Sequence, residues 1–109
     1  MKAVLVSLAG AAMLASGAAH AALDNAKAEA MMKKDGCAAC HAVDKKIVGP
    51  AYVDVAAKYK NDKNAAATLV KKVKAGGSGV WGQIPMPPNA AVSDADIKDL
   101  VDWILTLKK

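Results

Sequence analysis

Cys37-Ala38-Ala39-Cys40-His41 places two thiols and an imidazole within five consecutive positions. Three chemistries use a C-x-x-C pair. A structural zinc site needs four ligands, usually from a second Cys or His pair. Here His20 is the only other histidine and no further cysteine exists. A thioredoxin-like redox pair needs a βαβ framework around it, and a Cys37–Cys40 disulfide would close a loop too small to constrain the unfolded chain much. The third chemistry is covalent haem attachment through C-x-x-C-H. The two thiols add across the two vinyl groups of the porphyrin, and the adjacent imidazole of His41 then lies under the iron.

The remaining axial position decides whether such a centre catalyses, senses gas or carries electrons. Met31, Met32, Met86 and the lysines can compete for it. Met31 and Met32 lie just before Cys37 and are expected to pack in the core. Met86 sits in Ile84-Pro85-Met86-Pro87-Pro88, where the prolines fix the backbone and reduce the freedom lost on ordering. Such a rigid mount points to Met86 as the ligand opposite His41. An imidazole and a thioether close both axial positions and raise the potential relative to two nitrogens. That favours outer-sphere electron transfer over bond-making catalysis.

The elements that must position these residues are helical. The spacing predicts helices over Asp24 to Lys34 with Asp24 as cap, Tyr52 to Tyr59, Asn64 to Lys74 with Asn64 as cap, and a last one opening at Ser93. Asp96, three positions on from Ser93, completes a capping-box-like pair. Ile97, Leu100, Val101, Ile104 and Leu105 form one apolar stripe, with Trp103 at its edge. The segment from Gly76 to Val92 is a long loop rich in Gly and Pro, of the kind that is usually functional. No convincing strand, repeat or linker interrupts this pattern, so the class is all-α.

Residues 1–21 read as a cleaved signal peptide, from the positive start, the short apolar run and Ala19-His20-Ala21. This leaves residues 22–109 as one exported domain with no membrane span. The net charge of +5 comes from scattered lysines. With only two Trp and two Tyr among them, nucleic-acid binding is excluded and a solvated surface is expected. The chain has no Phe, and its apolar content leans on Ala. So small a core needs something large and apolar to fold around.

CAACH, VGPAY (Val48 to Tyr52), GVWGQIPMPPN (Gly79 to Asn89) and a final helix ending WILTLK together resemble the small bacterial class I monohaem cytochromes c of the c-551/c-552 type. The resemblance runs over essentially the whole mature chain. It implies four to five short helices around one covalent haem c, with Cys37 and Cys40 as thioethers and His41 and Met86 as axial ligands. It also implies that the Pro50 carbonyl accepts from the far ring nitrogen of His41 and that Asn89 donates toward the Met86 sulfur. Trp81 would reach a haem propionate through its indole N–H, and Lys72 would pair with a propionate. The first helix departs from some relatives in having Met32 where an aromatic is common.

The function implied is that of a monomeric periplasmic electron carrier, not an enzyme. Its implied partners are a membrane respiratory complex, nitrite reductase or cytochrome c peroxidase. The rival reading is a peroxidase-like enzyme or gas sensor, which requires Met86 to be labile.

Overall fold

The structure, a computed structural model, describes residues 23–109; the expected signal peptide lies outside the described residues. Helix α1 is Asn25–Lys34, α2 Tyr52–Lys58, α3 Ala65–Ala75 and α4 Asp94–Ile104, with a single 3-10 turn at Cys37–Ala39 between α1 and α2. The described residues contain no strand, only two isolated bridges, His41 with Lys46 and Gly77 with Met86. The all-α expectation holds, and each helix falls within a residue or so of its expected span.

Local chemistry explains most of the ends. Asp24 caps α1 by accepting from the Lys27 amide at 2.7 Å, and Lys33 and Lys34 sit favourably in its last turn. Gly36 then takes the left-handed conformation, φ 82°, that stops a helix. Ser93 caps α4 by accepting from the Asp96 amide at 3.1 Å. The reciprocal half of the capping box is replaced, because the Asp96 carboxylate takes Lys34 of α1 at 3.2 Å. Asn64 precedes α3 but its side chain makes no cap; its own backbone amide donates to Asp62 Oδ1 at 2.8 Å.

Helix α4 packs against α1, α2 and α3 in turn and is the common floor of the fold. Ile97, Leu100, Val101 and Ile104 are buried on it as the stripe requires. Two positions differ from expectation. Leu105 lies past the helix end and is half-buried. Trp103 is in the core, 3% exposed, because α1 covers that flank of α4. Its indole Nε1 donates to Asn25 Oδ1 of α1 at 3.1 Å, and Tyr52 meets it edge-on at 6.2 Å. Met32 fills the α1 side of the core and Met31 packs at its margin.

The seam between α1 and α4 carries one unfavourable charge. Asp35 stands at the C-terminal end of α1, where the helix dipole disfavours an anion. Its Oδ2 is buried with no hydrogen-bond partner among the described residues. Burial first, and then the neighbouring Asp96, push the Asp35 carboxyl above the usual range. Lys34 acts oppositely on Asp96 and holds it low. Since the folded-state pKa of Asp35 is raised, the stability linked to its proton is fully present below its unfolded value and lost as pH rises through the raised one. Asp35→Asn is therefore expected to stabilise the protein by about 0.3–1 kcal/mol at neutral pH and to give no gain in strong acid. Paired thermal melts of parent and variant across that pH range check the sign.

Candidate haem site

The chain builds one wall of the site within a few residues of Cys37. The 3-10 turn presents Cys37 and Cys40 half-buried, and the His41 amide donates back to the Cys37 carbonyl at 2.9 Å. The following loop folds back on this turn through Gly49, whose amide donates to the Cys40 carbonyl at 2.7 Å. That return brings the Pro50 carbonyl to 2.8 Å from His41 Nδ1. The contact fixes the ring's orientation and leaves Nε2 free to face a metal. Tyr52, the first residue of α2, stacks on the imidazole with centroids 5.0 Å apart and planes 20° from parallel. Close approach explains Gly49, since a Cβ there would lie 2.8 Å from His41 Nδ1 and 2.9 Å from Nε2.

The opposite wall is the loop between α3 and α4. Gly77 and Met86 exchange two backbone hydrogen bonds, of 3.0 and 2.8 Å, so the loop doubles back and sets Met86 half-buried at its base. Gly76 is required at the foot of this return: its φ is +73°, and a Cβ would collide with the Met86 carbonyl and with the Pro87–Pro88 backbone.

Between the walls lies a cavity of about 460 Å³. Cys37, Cys40, His41, Pro50, Lys72, Trp81 and Met86 all border it, over an apolar floor that includes Val55, Leu69, Ile97, Leu100 and Ile104. Seven of the eight expected site residues are thus brought together. Asn89 is the exception. Its amide donates to the Val73 carbonyl at 3.0 Å and the Pro87 carbonyl at 3.2 Å. Donation to the Met86 sulfur is not among the hydrogen bonds of the described residues; Asn89 stitches the Met86 loop to α3.

Burial pushes the Cys37 thiol above its ordinary pKa, with a smaller opposing contribution from a hydrogen bond with Tyr52. Redox-active C-x-x-C pairs depend on a depressed thiol pKa, so this environment does not suit thiol–disulfide exchange. Trp81 stands at the cavity mouth, 41% exposed, with Lys58 Nζ 5.7 Å from its ring centroid. Three contributors were not anticipated in these roles: Gly49 against His41, Tyr52 stacked on it, and Lys58 over Trp81. Only Gly49 carried a local cue, a glycine directly before the proline that faces His41.

These residues fit a covalently attached haem: two thiols and an oriented imidazole on one rim, a thioether on the other, and an apolar floor large enough for a macrocycle. Comparison with known proteins agrees. The sequence profile of the Cytochrome c family matches residues 15–108. Cytochrome c-552 of Nitrosomonas europaea is 56% identical over 104 residues, covering 95% of each chain. Cytochrome c-551 of Pseudomonas aeruginosa is 54% identical over 80 residues, 73% of this chain and 76% of that one. The crystal structure of wild-type Nitrosomonas europaea cytochrome c552 superimposes with a TM-score of 0.71 at 61% identity, over 73% of this chain and 99% of that one.

The fold and site are those of a haem electron carrier of the all-α class I type. The chain belongs to the cytochrome c family, among the class I monohaem cytochromes of the c-551/c-552 type, with one covalently attached haem c.

The packing of Gly49 on His41 is open to direct test. Gly49 is not among the glycines at positive φ, so alanine suits its backbone and only the steric conflict with the imidazole is added. Gly49→Ala is expected to displace the ring from Pro50 and to destabilise the haem-loaded protein by about 1–3 kcal/mol, the usual cost of overpacking. Denaturant unfolding gives the stability change, and the Nδ1 proton resonance of His41 reports the hydrogen bond. Unchanged stability would show that the imidazole is not confined as described.

Proposed function

We propose that this chain is exported, loses residues 1–21, and shuttles single electrons between periplasmic redox proteins as residues 22–109. Cys37 and Cys40 would hold the haem through thioethers, and His41 and Met86 would be the ligands to its iron. When bound, haem c supplies an iron centre that takes up and releases one electron. The observation that carries this reading is that the imidazole and the thioether stand on opposing walls of one apolar cavity, each anchored through backbone. The Pro50 carbonyl orients His41 at 2.8 Å, and the Gly77–Met86 bridge fixes the Met86 backbone. Two protein ligands would leave no coordination position for a substrate, which supports a carrier and not an enzyme or gas sensor.

Trp81 and Lys72 border the cavity, and both are proposed to bind the haem propionates. For Lys72, neighbouring geometry lends support: a Cβ on Gly77 would lie 2.9 Å from its Nζ, so the ammonium is brought close against the Met86 loop. Around the mouth, Val48, Val80, Trp81 and Ile84 expose 46%, 49%, 41% and 69% of their surfaces. An apolar rim flanked by lysines suits small, short-lived docking, as a carrier needs quick release. A membrane respiratory complex, nitrite reductase and cytochrome c peroxidase are the proposed partner types. Stopped-flow oxidation of the purified reduced protein by each would choose among them.

Met86→Ala is expected to expose the sixth position. The weak far-red absorption band of ferric thioether ligation should disappear and cyanide should bind rapidly. The potential should fall by on the order of 0.1 V, part of the ~0.8 V span that axial ligands control. A variant with the parent's spectrum and potential would remove Met86 from the site. Replacing both Cys37 and Cys40 with Ala should abolish accumulation of folded holoprotein in the periplasm, because the remaining core is small. Recovery of soluble, helical double variant at parental yield would contradict that dependence.

A further inference from the structure

Lys74 lies in the last turn of α3 and, among scattered lysines, was expected only to be solvated. The structure gives it a specific place. Its Nζ donates to the Val92 carbonyl at 2.7 Å and pairs with Asp94 Oδ1 at 2.9 Å. Its own carbonyl accepts from the Asn89 amide at 3.2 Å, and the Val92 amide donates to the Asn89 carbonyl at 3.1 Å. Main chain and side chain of one residue thus hold both ends of a short segment, Asn89 to Val92. That segment is the exit of the loop that carries Met86. The loop's entry, Gly76, donates to the Lys72 carbonyl at 2.7 Å on the same helical turn. Both feet of the loop therefore meet at the C-terminal turn of α3.

We propose that Lys74 is a positioning residue for the Met86 side of the site: it clips the exit of the Gly76–Val92 loop to α3 and α4 and keeps Met86 seated. The proposal rests on Met86 being the axial ligand and adds what governs its release. The ion pair alone is a weak candidate for this work, since Asp94 is 83% exposed and surface pairs contribute little. The ammonium's bond to the Val92 carbonyl matters more, because charge-assisted bonds are the stronger class and the Lys74 side chain is only 38% exposed. Without that bond the exit is held by the Asn89 bonds to α3 and the packing of Val92 on the core, and the loop regains part of the freedom otherwise lost on closure. Among the described residues the backbone hydrogen bonds of Met86 run to Gly77 alone, so its seat depends on how the loop is held.

The test compares haem-loaded Lys74→Met, Lys74→Arg and Lys71→Met proteins with the parent. Lys71 is an exposed lysine on the same helix and controls for the loss of a positive charge near its C-terminus. In Lys74→Met the amides of Gly77, Met86 and Asn89 should exchange roughly tenfold faster, the scale expected for one charge-assisted bond. Amides of α1 and the middle of α4 should stay at parental rates. Cyanide should displace the sixth ligand of the ferric protein faster by a similar factor. Lys74→Arg should recover most of both effects, and Lys71→Met should match the parent. Parental exchange and cyanide rates in Lys74→Met, or uniform acceleration across all helices, would overturn the proposal. A parent without the far-red thioether band would instead remove the Met86 assignment, and the exchange comparison would still decide whether Lys74 clips the loop.

Discussion

The confinement of one imidazole organises this molecule. His41 has the Pro50 carbonyl on Nδ1, Tyr52 against its face and Gly49 too close to admit even a methyl group. The ring can neither rotate nor shift without breaking the return of the loop onto Cys40. Because Tyr52 also opens α2 and meets Trp103 edge-on, the ring's position is transmitted into the core and to the partner of Trp103 on α1, Asn25. The second constraint is the space beside the ring. Even a fraction of the ~24 cal/mol per Å³ cost known for closed cavities would take up much of the ~5–15 kcal/mol that keeps a small domain folded. Helices and covalent haem are best understood as one folding unit, with the apolar side chains of α4 as its floor.

The two walls are not equivalent. The histidine wall is local: Cys37 to Pro50 closes on itself through bonds between near neighbours in the chain. The methionine wall is assembled at longer range. Its loop returns to α3 at Asn89 and then runs directly into α4 through Val92 and Ser93, a junction that Lys74 clips to α3. Local contacts lose little chain entropy on forming, whereas a long loop must be closed before its contacts contribute. On the proposed axial assignment, the methionine side is therefore expected to yield before the histidine side. The Gly and Pro content of that loop has a double effect: glycines allow the reversal and prolines limit the freedom regained on release.

What could be read in the sequence was the chemistry that depends on neighbours in the chain. C-x-x-C-H, the proline-mounted Met86, the Asp24 and Ser93 caps and the α4 stripe all follow from spacing over a few residues. Features that depend on which element lies alongside were not legible. Trp103 stands at the edge of the stripe by helical periodicity and is buried because α1 and Tyr52 cover that flank. Asn64 has the side chain of a cap, yet it accepts from no amide of α3. Asn89 stands three residues past Met86, and its side-chain amide donates to the Val73 and Pro87 carbonyls, which tie the loop to α3. Lys74 looks like any surface lysine until α3 and α4 are set side by side.

On the proposed axial assignment, the manner of anchoring bears on electron transfer itself. His41 is held by a backbone carbonyl, and Met86 by backbone bonds of its own residue. Neither residue is held directly by a charged side chain; Lys74 acts one step removed, on the Val92 carbonyl at the exit of the Met86 loop. Charged groups also border the site: Lys46, Asp54 and Lys72 line the cavity, and Lys58 lies over Trp81. Their response to a change of charge is shared with solvent, which reorganises there in any case. The floor is the apolar face of α4 and its neighbours, with little dipole to reorient. A rigid apolar interior with charged groups at its border keeps the rearrangement that accompanies each electron small. The same layout would serve poorly for a reaction that must bind and reshape a substrate at the metal.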